Sequence, residues 1–197
     1  AGTSPGQYIS IPQNQAGSQG LPAQIPSMQA FLVKVNSSNA AATISIPYST
    51  VGTTLRNTEI QRIKSPDPDN DQDKVYTIID VNGTRYSDRK KIYYEKNCTH
   101  DYNNGWDGYK ILGSSLVPQV WSIEKDGNYQ VNSLDEIDST VIGFKKGEDS
   151  IYTLTFKHNN TQLKYPALYL ADILSGNLTD VSEDNSKVTF KSPSLQT

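Results

Sequence analysis

Apolar and polar residues alternate with a period of two along nearly the whole chain, and Gly, Asn or Asp interrupts the alternation about every 8–12 residues. This constrains the fold more than any other feature. A period of two puts successive side chains on opposite faces of an extended strand. Short strands with regular turn signals predict an all-β sandwich or barrel. The alternating or continuously apolar runs are residues 8–11, 30–35, 43–46, 75–81, 90–94, 120–124, 128–131, 141–144, 151–157, 167–173 and 187–191. Asn82-Gly83 and Asp126-Gly127 lie between such runs and predict hairpins. Helical signals are sparse: room for one turn in Ser49–Arg62, and a capping-box spacing in Ser133-Leu134-Asp135-Glu136.

The expected architecture is one domain over residues 1–197, a two-sheet antiparallel β-sandwich with jelly-roll-like topology and few helical turns. Its mobile parts are predicted to be residues 1–6 and the acidic, proline-broken loop 65–74. Gln13–Gln24, rich in Gln, Gly, Asn and Ser, is predicted as a second loop. Twelve Tyr suit half-exposed sheet faces, where the ring buries and the hydroxyl stays wet.

Composition excludes several function classes. The net charge is −3, with both signs interspersed, and no basic stripe could neutralise a run of phosphates, so no nucleic-acid partner is expected. No apolar stretch approaches the length of a membrane-spanning helix. The opening A-G-T-S-P-G has neither the positive region nor the apolar core of a signal peptide. A single cysteine rules out an internal disulfide. Sequons begin at Asn36, Asn82, Asn97, Asn159 and Asn177, and matter only where the glycosylation enzyme is present.

Cys98–Tyr109, C-T-H-D-Y-N-N-G-W-D-G-Y, is the densest stretch in chemistry. Cys98 and His100 are two apart, a strand spacing rather than a zinc-finger spacing, and His158 is the only other histidine, so no metal is expected here. No nucleophile elbow accompanies Cys98, and the sequence singles out no pair of carboxylates for glycoside hydrolysis, so no catalytic residue is assigned. Tyr102, Trp106 and Tyr109 could stack on sugar rings while Asn104 and Asp107 bond hydroxyls. The competing reading is a scaffold corner, with Gly105 and Gly108 turning the chain around a buried Trp106. The exposure of Trp106 separates the two. Asp67, Asp69, Asp71 and Asp73 alternate like the start of a calcium loop, but Gln72 and Ile78 stand where an EF-type loop needs Gly and Glu. The favoured reading is a solvated acidic loop, with calcium at Asp67, Asp69 and Asp71 the secondary one.

The ordered set Leu21–Phe31, Gly83–Arg89 (G-T-R-Y-S-D-R), Cys98–Lys110, Asp126–Asn132, Gly147–Phe156 and Tyr169–Asp172 resembles a family of secreted surface proteins of Bacteroidetes. In that family an "SDR" strand precedes a "GFDNGWDGYK"-like corner. The resemblance covers most of the chain. It implies an adhesin-like β-sandwich module near the C-terminus of large exported proteins, often ahead of a sorting domain read by the type IX secretion machinery. No sorting domain is seen before the sequence closes at Ser192–Thr197, so a fragment or variant of that arrangement is expected. The family contributes no catalytic residues. Asp138-Ser139-Thr140 and Asp149-Ser150-Ile151 match the short pattern used for O-glycosylation in these bacteria.

The functional expectation is a non-catalytic module, not an enzyme and without cofactor, secreted or on the bacterial cell surface. It would serve adhesion or the structural display of a larger exported protein, with glycans or host and bacterial surface proteins as partners. The alternative is a carbohydrate-binding module using the Tyr102/Trp106/Tyr109 loop; an accessory domain of a glycosidase or peptidase ranks third.

Overall fold

A computed structural model describes residues 9–17 and 73–192. The chain divides into two units, Ala1–Gln15 with Gln72–Thr197, and Ala16–Asp71; only the first is described below. The expected strands 30–35 and 43–46, the Ser49–Arg62 turn, the mobile stretch 1–6, Asp67, Asp69 and Asp71 lie outside the described residues, as does loop 65–74 up to Gln72.

Ten strands form among the described residues: β1 Tyr76–Asn82, β2 Ser87–Tyr94, β3 Gly108–Tyr109, β4 Gln119–Glu124, β5 Gly127–Leu134, β6 Val141–Lys145, β7 Ile151–Asn159, β8 Tyr169–Ala171, β9 Leu178–Asp180 and β10 Ser186–Lys191. Most coincide with the period-two runs. Both hairpin signals hold: β1 pairs antiparallel with β2 across residues 83–86, and β4 with β5 across Lys125 and Asp126. The helices among the described residues are single 3₁₀ turns, Gln13–Gln15 and Thr161–Leu163.

Three local expectations fail. Ile9–Ile11 joins no strand. Residues 167–173 yield only the three-residue β8, because Asp172 turns the chain by accepting from the Leu174 N–H at 3.0 Å and the Ser175 hydroxyl at 2.7 Å. The Ser133–Glu136 spacing caps no helix: Ser133 and Leu134 end β5, and the Ser133 N–H is taken by the Asp107 carboxylate at 2.7 Å.

The all-β class holds, but the sheet is mixed. Eight strands run in the order β10-β7-β1-β2-β5-β4-β6 with β3 also on β5, and β8 and β9 make a separate two-stranded sheet. The departure from an antiparallel jelly roll is at the centre, where β2 and β5 run parallel, Lys91 opposite Val131 through Tyr94 opposite Leu134. Parallel neighbours need a long crossover. Here residues 95–126 supply it, carrying the corner, β3 and β4.

Ladder pairing shows how the centre closes. Tyr129 pairs with Ser122 of β4 on one edge and Tyr109 of β3 on the other; Val131 pairs with Lys91 of β2 and Gly108 of β3. β2 and β4 therefore meet end to end along one edge of β5. Asp88 bridges the join by accepting the Val120 N–H at 2.8 Å.

The core lies on one face of the large sheet. Ile79, Val81, Ile92, Val120, Leu134, Tyr152, Leu154 and Phe156 pack there with Ile137 and Val181 from the connecting loops. Phe144 sets its ring edge-on to Tyr152 at 5.1 Å and to Phe190 at 5.0 Å. Burying each such side chain contributes about 1.5–3 kcal/mol. On the opposite face of β1, Asp80 accepts from Arg89 Nε at 2.6 Å and Nη2 at 3.0 Å, and from Lys157 Nζ at 3.1 Å.

Candidate functional site

The Cys98–Tyr109 corner leaves β2, folds back and enters β3. Its shape is set from inside by two side chains. Asn103 Nδ2 donates to Thr99 O and Asp101 O, each at 2.8 Å, and Asn103 Oδ1 accepts the Thr99 N–H at 3.0 Å. Asp107, buried at 4% exposure, accepts from Asn103 N at 2.7 Å, Asn103 Nδ2 at 2.8 Å and Ser133 N at 2.7 Å. Burial raises the Asp107 pKa, and the backbone and side-chain N–H bonds offset only part of that. The carboxylate predicted to bond sugar hydroxyls is thus spent on pinning the corner to β5.

The aromatics divide. Tyr102 and Tyr109 stack on each other with ring centres 4.8 Å apart and 7° between planes, and Tyr109 stacks in turn on the fully buried Tyr129 at 5.0 Å. Their facing surfaces cover one another. Trp106 is half-buried, and its backbone carbonyl accepts from Ser133 Oγ at 3.1 Å and Gln15 Nε2 at 3.3 Å. Asn104 is exposed. The five predicted residues therefore share one corner, with Asp107 buried, Asn104 exposed and the three aromatics partly buried.

The N-terminal strap over this corner had no sequence signal. Ser10 Oγ donates to Tyr109 O at 2.5 Å, Ser10 N donates to Gln130 Oε1 at 2.8 Å, and Asn14 N donates to Gly105 O at 2.8 Å. Gly105 sits at φ 84°, in the region that favours glycine, with Asn14 against its open side. Ser10 packs so closely on Gly108 that no side chain would fit there.

Cys98 is 2% exposed, and its thiol is pushed up to about 12, by burial first and then by Asp107, Glu95 and Asp135. It stays protonated and is no nucleophile. His100 does not approach it as a base: His100 Nδ1 pairs with Glu124 Oε2 at 3.0 Å. His158 bridges Thr77 Oγ1 at 3.0 Å and Val181 O at 2.7 Å. Among the described residues no group of three or more His, Cys, Asp or Glu side chains could hold a metal, and no helix is long and apolar enough to cross a membrane.

Beneath the corner lies a buried polar group that the sequence reading passed over. Lys110 and Asp88 pair at 2.5 Å, each side chain 1% exposed. Lys90 is 0% exposed, and its Nζ has no hydrogen-bond partner. Glu124 Oε1 accepts from Asn132 Nδ2 at 2.7 Å, and Asn132 is 1% exposed. Alternation held the signal: in β2, Asp88 and Lys90 must point to the same face as the core residue Ile92. A lysine there reads as a surface residue only if periodicity is ignored.

No family model matches the chain, and no solved structure matches it. A relative is the minor fimbrium subunit Mfa5 of Porphyromonas gingivalis, a member of the Bacteroidetes, 32% identical over 176 residues. The alignment covers 87% of this chain and 14% of that protein, so the chain corresponds to a small part of its relative.

Proposed function

We propose that the chain is a non-catalytic module of a fimbrial or similar cell-surface protein, serving adhesion or structural display, with other surface proteins as partners. The observation that carries this is the 32% identity to a minor fimbrium subunit over 87% of the chain. The corner supports it: Asp107 and Asn103 spend their polar atoms internally, Cys98 is protonated and buried, and Tyr102 and Tyr109 cover each other. Such a corner holds neighbouring loops in fixed positions, which suits display. The jelly-roll-like sandwich of the resembled family remains our reading of the module's ancestry, with the parallel β2–β5 pair as a local variation.

The test is antibody access in cells that produce the protein naturally. Antibodies raised against residues 73–192 are expected to label intact cells and to follow the sheared surface fraction. Antigen reachable only after lysis would refute the reading.

A further inference from the structure

We propose that Lys90 and Asn132 are joined by an intramolecular isopeptide bond, formed spontaneously after folding with Glu124 moving the proton. The inference rests on the buried group described above and is independent of the fimbrial reading.

The placement is fixed by register. Ile92 pairs with Asn132 in the parallel β2–β5 ladder. Lys90 lies two residues before Ile92 and on the same face, so Lys90 and Asn132 are diagonal neighbours. Adjacent strands lie about 4.8 Å apart and two residues of a parallel strand advance about 6.6 Å, so the two Cα atoms are roughly 8 Å apart, within reach of a long side chain. Lys90 Nζ is sealed from water and hydrogen-bonded to nothing, an arrangement that a resting ammonium does not tolerate. Burial holds its pKa well below the usual lysine value; Asp107 and Glu124 pull it up, and Lys110 pushes it down. The neutral amine, with its lone pair free, is the nucleophilic form. Asn132 presents its carboxamide on that face, clamped by Glu124 at 2.7 Å.

The step balances without a co-reactant. The Lys90 Nζ lone pair attacks Asn132 Cγ, and a C–N bond forms. Glu124 removes a proton from Nζ and delivers it to Nδ2, already its hydrogen-bond partner. The Cγ–Nδ2 bond then breaks and ammonia leaves. Glu124 ends as it began, and the product is an amide tying β2 to β5. Asp107 is the competing electrophile near Lys90: burial raises its pKa and the N–H bonds from Asn103 and Ser133 offset only part of that, and the mass change separates the two partners, ammonia lost with Asn132 and water with Asp107. The link would close a loop between the two parallel strands, the kind of constraint a disulfide supplies, in a chain whose single cysteine cannot form one internally.

Intact-mass spectrometry of the full 197-residue chain tests the proposal. The folded protein should be lighter than its sequence mass by one ammonia, and digestion should give a branched peptide containing both Lys90 and Asn132. Lys90→Met, Asn132→Ala and Glu124→Gln should each restore the full mass. Glu124→Gln is the informative variant, since it keeps the side-chain shape, and circular dichroism would show whether its sheet is retained. Full sequence mass in the wild-type chain would overturn the proposal. So would an ammonia loss mapped to Asn82-Gly83 or Asn104-Gly105, where succinimide forms, or a water loss mapped to Lys90 and Asp107. A Glu124→Gln chain that folds and still loses ammonia between Lys90 and Asn132 would remove Glu124 from the step.

Discussion

Lys110 and Asp88 form an ion pair closed to solvent, Nζ to Oδ2 at 2.5 Å, across the place where β2 and β4 meet. The second role of the Asp88 carboxylate, accepting the Val120 N–H, joins the charge pair to the backbone. Desolvating two charges is costly, so the pair is favourable only while both partners are present. Lys110→Met should destabilise the unit by about 3–5 kcal/mol by leaving Asp88 charged and alone. The double variant Asp88→Asn with Lys110→Met should recover much of that loss, since the amide oxygen still accepts from Val120. Urea unfolding of the two proteins checks this; a double variant no more stable than Lys110→Met would contradict the account.

Asp80 governs part of the acid stability. Burial alone would raise its pKa, but the hydrogen bonds and charges of Arg89 and Lys157 outweigh burial and hold it below the usual value. The folded state therefore binds this proton less tightly than the unfolded chain. The stabilisation is present above the unfolded value near pH ~3.9 and is lost as pH falls through the lower folded value. Asp80→Asn should flatten the stability profile in that acid range and cost roughly 1 kcal/mol at neutral pH, because Arg89 and Lys157 are each about half exposed. Thermal melts from pH 2 to 7 would test it; an unchanged acid limb would refute it.

Cys98 should resist alkylation. Its thiol is buried, and burial followed by nearby carboxylates pushes it up to about 12. Iodoacetamide at neutral pH is expected to leave the native chain unmodified and to label it fully in denaturant. Rapid labelling of the folded protein would show that the corner opens.

Gly105 and Gly176 make a matched pair for the N-terminal strap. Both have positive φ, 84° and 72°, but Asn14 packs against the first while nothing lies within 4 Å of the second. Alanine at either site should cost about 1 kcal/mol of backbone strain. Gly105→Ala should cost more, because its methyl also pushes on Asn14. Equal losses in chemical denaturation would mean that the strap contributes nothing to stability.

The polar side chains of the corner were legible as a group but not by role. C-T-H-D-Y-N-N-G-W-D-G-Y offers the same aromatics and carboxylates to a sugar site as to a scaffold corner. What separates the two is whether Asp107 meets water or the Ser133 N–H, and that contact spans 26 residues of chain.

By itself the sequence determined the local conformation. The period of two placed most of the strands, and Asn82-Gly83 and Asp126-Gly127 placed two hairpins, because these depend on neighbours along the chain. Tertiary structure alone decided that β5 lies parallel to β2, that Ser10 and Asn14 strap the corner, and that Lys90 is buried near Glu124, the carboxylate that holds Asn132. Strand order depends on which distant surfaces bury one another best, and no local pattern carries that. The chemistry of Lys90 follows from the same cause: on an exposed strand it would be an ordinary ammonium, and only the packing of β2, β4 and β5 around it removes the water that would keep it so.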